Sequence, residues 1–272
     1  MVRATRVGVI AHRGASGHAP ENTAAALELA IELGATAIEI DVQLTRDGHL
    51  IVWHDDTIER TAHNPITPSD SRVSDLTLDE LSACDVGSWF NHGYPLLASD
   101  GYENLAPMTL DDVLSTYGTR LPLFVEPKGI AHSPSMIREL ARSLRSTGSP
   151  HRHAVLAHRP DCLETLMAEC PDMEPVLLVD QMWPSGDDRV ETAARLGAAI
   201  SPHKDLVDAR LVAHAHYNDV AVYPHTVNHP GEIRRLVELD VEAIITDLPD
   251  HVSSVLRHGT VRDPLASPAR PA

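Results

Sequence analysis

Cysteine is scarce in this chain of 272 residues: Cys84, Cys162 and Cys170 are the only three, and no two share a paired spacing. An odd, scattered set suits a reducing compartment better than a disulfide framework, so a cytoplasmic location is expected. Basic residues are outnumbered, 22 Lys+Arg against 39 Asp+Glu, for a formal net charge of −17. Such a balance argues against nucleic acid or an anionic membrane surface as the main partner, although a local anion site can still be basic. Long apolar runs are missing too. Nothing approaches about 18 uninterrupted apolar residues, so no membrane span is expected. The apolar stretch after Arg3 and Arg6 is too short for a signal peptide. There is no internal repeat, and the biased tail 258–272, with three prolines, reads as disordered.

What is present is ordinary for a soluble globular protein: 43% hydrophobic and 22% charged residues. Strand-like and helix-like patches alternate along most of the length. Strands are expected at 7–11, 37–42, 121–126, 153–157, 175–179, 198–201, 219–224 and 242–246. Helices are expected at 22–33, 135–147, 160–169, 187–196, 205–216, 230–239 and 249–257. About eight βα units in one chain of this size predict an α/β fold, a TIM-type (β/α)8 barrel. Leu50–Trp53 fits either a barrel strand or half of a hairpin turning at Arg46-Asp47-Gly48. Residues 56–108 break the rhythm and are read as an insertion over one end of a single domain spanning 1–257.

In such a barrel, chemistry gathers where strands end. His12-Arg13 ends the first strand, Glu39 and Asp41 the second, Glu126 with Lys128 the one at 121–126, and Thr246-Asp247 the last. Glu39 and Asp41 stand at i and i+2, so both carboxylates point to one face of a strand. Buried side by side they repel unless a cation lies between them. With Glu126 they form an oxygen-rich set suited to Mg²⁺ or Ca²⁺. Arg13 and Lys128 add anion donors, and His12 and His54 can move protons. Together these describe a phosphoester-cleaving site. Asp247 fits either the site or the cap of the last helix. Glu21 and Asn22 fit either support around the site or the cap of the first helix, and Asp55 either orients His54 or serves a turn. Trp89 and Phe90 fit a core for the insertion or a wall over the substrate. His151-x-His153 and His214-x-His216 have chelating spacing but no further ligands nearby in sequence.

The ordered series His12-Arg13-Gly14-Ala15-Ser16, Pro20-Glu21-Asn22-Thr23, Glu39-Ile40-Asp41-Val42, Thr45-Arg46-Asp47-Gly48 and His54-Asp55 resembles the glycerophosphodiester phosphodiesterase family. Asp75-Leu76-Thr77-Leu78, Gly87-Ser88-Trp89-Phe90, Thr226-Val227-Asn228 and Ile244-Ile245-Thr246-Asp247 extend it over nearly the whole chain. The resemblance implies a barrel that hydrolyses a glycerophosphodiester to sn-glycerol 3-phosphate and an alcohol. It implies Glu39, Asp41 and Glu126 as metal ligands, His12 and His54 as the acid–base pair, and Arg13 and Lys128 on the phosphate. Three departures stand out: Glu126-Pro127-Lys128 carries a proline at its centre, His225 stands where a tryptophan is usual, and Ala62-His63-Asn64-Pro65 replaces a glycine-rich loop. Trp89 and His225 are thereby the residues expected to shape substrate choice. Two other readings compete: a lysophospholipase D-type hydrolase, using Trp89, Phe90, Tyr94, Leu96 and Leu97 as an apolar trough, and a non-catalytic phosphodiester-binding protein.

Overall fold

A computed structural model describes residues 7–63, 67–129, 133–181 and 188–256. Its strands are β1 (Gly8–His12), β2 (Ala37–Leu44), β3 (Leu50–Val52), β4 (Leu123–Pro127), β5 (Ala154–Ala157), β6 (Glu174–Val179), β7 (Ala199–Pro202) and β8 (Ala243–Thr246). The barrel helices are α1 (Ala24–Glu32), α5 (Pro134–Ser146), α6 (Pro160–Glu169), α7 (Arg189–Leu196), α8 (Ala209–Tyr217), α9 (Pro230–Glu238) and α10 (Pro249–Val255). Between β3 and β4 lie α2 (Leu78–Ser82), α3 (Ser88–Gly93) and α4 (Leu110–Thr116). Seven parallel strands run in the order β7-β6-β5-β4-β2-β1-β8, and β3 pairs antiparallel with β2. Leu50–Val52 is therefore half of a hairpin.

Closure comes from residues 221–227, which bridge β7 and β8. Ile200 N donates to Ala221 O at 2.8 Å and Tyr223 N to Ile200 O at 2.9 Å. On the other edge Ile245 N donates to Pro224 O at 3.0 Å and Val227 N to Ile245 O at 2.9 Å. The molecule is a TIM-type barrel. The expected strand at 219–224 is this stave, but it is not a regular strand, because Pro224 has no N–H to continue a ladder.

Alternation sorts the side chains. On β2, Ile38, Ile40 and Val42 join the apolar layer under the helices. Ala37 packs in the interior cluster with Ile10, Phe124, Leu156, Leu178, Tyr223 and Ile245. Glu39, Asp41 and Gln43 follow Ala37 at steps of two, so they share the interior face and continue above that apolar plug. A third cluster, Ile51, Trp53, Ile58, Val73, Leu76, Leu81, Cys84 and Val86, is built mostly from residues 53–86. Asn64 and Pro65, like the tail 258–272, fall outside the described residues.

Candidate active site

Register brings the polar residues together. In the parallel ladders His12 stands opposite Glu39 and Asp41 opposite Glu126. His12 and Glu126 lie at the carboxyl ends of β1 and β4, and Glu39 and Asp41 lie level with them along β2, all on the interior face. The turn after β1 then doubles back: Arg13 has φ +56° and Gly14 φ +79°. At Gly14 a Cβ would lie 2.6 Å from Ala26 C, so the turn lies directly against α1. This geometry aims the Arg13 N–H at Glu39 Oε2, at 3.0 Å.

Glu39, Asp41 and Glu126 each place a carboxylate oxygen within 4.8 Å of the others. Glu39 Oε1 and Asp41 Oδ1 are buried without a hydrogen-bond partner. Lys128 Nζ sits 3.3 Å from Asp41 Oδ1, an ion pair outside hydrogen-bond geometry, and 2.6 Å from Glu126 Oε1. Burial and then the Asp41 charge push the Glu39 carboxyl up to about 8. Burial pushes Asp41 the same way, but the Lys128 and Arg13 cations outweigh it and hold its carboxyl low. The donor set is all oxygen, two of its atoms are orphaned, and its charge is only partly met. A hard divalent cation fits it.

Both histidines are oriented by carboxylates. His12 Nδ1 meets Asp247 Oδ1 at 2.6 Å, while its Nε2 lies 3.9 Å from Glu39 Oε2. Burial opposes a positive charge on His12, yet the Asp247 hydrogen bond and the Glu39 charge raise its pKa overall. Asp247 is pulled down to about 2, because bonds from His12, Asn228 and Ser16 outweigh its burial. Asn228 Nδ2 donates to Asp247 Oδ2 at 2.6 Å, and Asn228 Oδ1 accepts from Asp247 N at 2.9 Å. Asp247 is thus committed to His12 and does not cap α10, whose N-cap is Leu248. His54 Nδ1 meets Asp55 Oδ1 at 2.6 Å.

Glu21 and Asn22 do not cap α1 either; Thr23 does, accepting from Ala26 N. Glu21 Oε1 instead takes Arg13 Nη1 at 2.9 Å, and Asn22 Nδ2 donates to Asp41 Oδ2 at 3.0 Å. Sequence reasoning missed Arg60. Its guanidinium grips Asp55 through Nε (2.6 Å) and Glu21 through Nη1 (2.8 Å), tying the partner of His54 to the partner of Arg13. The only signal was its place six residues after His54.

A cavity of about 190 Å³ opens among His12, Arg13, Glu39, Glu126, Lys128, His158 and His225, with Leu156, Leu178 and Ile245 on its apolar side. His54 lines a neighbouring narrow recess with Glu21, Asn22 and Trp53. Trp89 lines neither: Arg60 lies over its ring at 5.6 Å, and its Nε1 donates to Val86 O at 2.9 Å. The histidine pairs do not chelate jointly. His153 Nδ1 accepts from Leu123 N, while His214 and His216 face Asp188 and Glu242 respectively.

A βα barrel with carboxylates, cations and carboxylate-held imidazoles at its mouth defines a hydrolase of the phosphoester-handling class. The family model for the glycerophosphoryl diester phosphodiesterase family matches residues 12–251. The chain belongs to that family and is an enzyme. It is 32% identical over 258 residues to a glycerophosphodiester phosphodiesterase of Caldanaerobacter subterraneus subsp. tengcongensis, covering 92% of this chain and 98% of that one. A Bacillus subtilis glycerophosphodiester phosphodiesterase is 30% identical over 253 residues, covering 90% of this chain and 85% of the relative. Among solved structures, an Oleispira antarctica phosphodiesterase in complex with the product sn-glycerol-3-phosphate superposes with a TM-score of 0.78. It is 28% identical, and the match covers 92% of this chain and 96% of that one.

Proposed function

We propose that this chain hydrolyses glycerophosphodiesters to sn-glycerol 3-phosphate and an alcohol, in a divalent-metal-dependent reaction. The observation that carries the reading is the pair of imidazoles, each with Nδ1 held by a carboxylate at 2.6 Å, beside three carboxylates with two orphaned oxygens. Glu39, Asp41 and Glu126 would hold Mg²⁺ or Ca²⁺, which when bound supplies charge neutralisation for the phosphodiester. Arg13 and Lys128 bind the phosphate oxygens. With Nδ1 committed, His12 and His54 each present Nε2: one accepts the proton of the attacking oxygen, the other protonates the departing alkoxide. Asp247 and Asp55 hold the rings in the tautomer this needs.

The reading takes residues 1–257 as one domain, with 56–108 packed against the mouth through Arg60 and through Tyr102 OH, 3.3 Å from His18 O. Three unbridged thiols support a cytoplasmic setting. No described helix is long and apolar enough to cross a membrane. The lysophospholipase reading rests on one observation, an exposed apolar corner with Leu96 98% accessible.

The test is glycerol 3-phosphate release across a panel of glycerophosphodiesters, and choline release from lysophosphatidylcholine, after chelation and with Mg²⁺ or Ca²⁺ restored. Turnover should vanish on chelation and return with metal, and the metal should raise the melting temperature by mass action. Full activity after exhaustive chelation removes the metal assignment.

A further inference from the structure

The β7 ladder has a gap with a chemical consequence. Along this edge, donors come from alternate residues: Ile200 N to Ala221 O and Lys204 N to His225 O, both 2.8 Å. The residue between them is Pro202, which has no N–H to offer Tyr223 O. Ser201 fills the gap, its Oγ donating to Tyr223 O at 2.7 Å. Ser201 is fully buried, so water does not compete for that role. A hydroxyl has one proton, and a carbonyl can only accept. With its proton on Tyr223 O, Ser201 Oγ can only accept from its other neighbour, His225 Nδ1, at 3.0 Å. The ring hydrogen of His225 therefore sits on Nδ1.

The other nitrogen is left with a lone pair. His225 lines the cavity beside His12, Lys128 and His158. Among the described residues Nε2 has no hydrogen-bond partner, and it is not among the sealed, unpartnered atoms. Burial, then the charges of His12, His203, His158 and Lys128, push the ring down to about 3, so it stays neutral at working pH.

We propose that His225 Nε2 is a fixed hydrogen-bond acceptor, set by Ser201 and Pro202, that selects diesters presenting a hydroxyl or ammonium N–H at this wall. The proposal rests on the phosphodiesterase reading and names its substrate class. A quaternary ammonium has no proton to give, and its methyl groups would strip water from the lone pair without replacing it. The donor can come from the leaving alcohol or from the glycerol itself, so the test has an arm for each.

With Mg²⁺ present, kcat/KM is measured for glycerophosphoethanolamine and glycerophosphocholine, and for the choline diester with and without its terminal glycerol hydroxyl. The wild-type chain should favour the donor-bearing member of at least one pair by about 5- to 10-fold, the worth of one hydrogen bond. His225→Phe should erase that preference, and His225→Gln should keep part of it. A change in the first pair assigns the donor to the alcohol; a change in the second assigns it to glycerol. Unchanged ratios in both pairs, with an active His225→Phe, overturn the proposal. The device has a readout apart from turnover: ¹⁵N spectra of histidine-labelled protein should report the Nδ1–H form for His225, disturbed in Ser201→Ala. An Nε2–H form overturns it. Failure of the wild type on every diester, with the Nδ1–H form observed, would count against the phosphodiesterase reading and leave the acceptor standing.

Discussion

His12 Nδ1 and His54 Nδ1 each meet a carboxylate oxygen at 2.6 Å, which leaves one nitrogen per ring for the proposed proton transfers. Replacing either ring by alanine should lower kcat by on the order of 10²–10⁴ with an unchanged circular dichroism spectrum. Asp247→Asn should also lower kcat, by about 10²-fold or more, because an amide can present its NH₂ and turn the ring to the wrong tautomer. More than about a third of wild-type turnover in any of the three removes that residue from the proton path. At this scale the sequence was informative about types and poor about partners. Glu39 and Asp41 were legible because strand alternation forces them onto one face. The commitment of Asp247 to His12 was not, since it spans 235 positions and depends on barrel closure. Arg60 was invisible for a related reason: it acts through Glu21 and Asp55, and no local spacing marks a residue that serves two others.

The turn between β1 and α1 carries more of the site than either element does. It holds Arg13 and Gly14 at positive φ and places the Arg13 N–H on Glu39. Gly14→Ala would put a methyl 2.6 Å from Ala26 C in a conformation side chains rarely adopt. The strain alone is about 1–3 kcal/mol. We expect at least that loss in urea unfolding, with an unchanged m-value, and a fall in kcat/KM as Arg13 shifts. Wild-type stability in Gly14→Ala would mean the turn relaxes freely. Element boundaries were legible where period and length agreed, as for α6, expected and observed at 160–169. They failed for the stave at 221–227, where Pro224 withdraws a donor from an otherwise strand-like run. They failed again for α4, seven residues long, which the Thr109–Asp112 capping box had announced unheeded.

For the whole molecule, the barrel architecture was readable because eight βα repeats leave few alternatives, while the pH response was not, since it depends on burial. His153 lies beneath the barrel wall with Nδ1 accepting from Leu123 N. Burial holds its pKa at about 4, against an ordinary 6.5. Between those values the unfolded chain binds a proton the folded chain refuses, so acid favours unfolding. The contribution is intact above about pH 6.5 and is lost as pH falls toward 4, to a total on the order of 3 kcal/mol. His153→Gln, which keeps an acceptor for Leu123, should flatten this part of the stability–pH curve measured by denaturant titration; an unaltered slope would assign it to other groups. The bond between His12 and Asp247 has a different consequence. It joins the first strand to the last, so an N-terminal fragment that stops before β8 lacks the carboxylate that orients His12 for its proposed acid–base role, however well its strands pair. During synthesis, turnover is expected to stay low until β8 has left the ribosome and the ring has closed. In refolding, recovered turnover would report the final closure step, lagging behind any signal that follows helix or sheet formation alone.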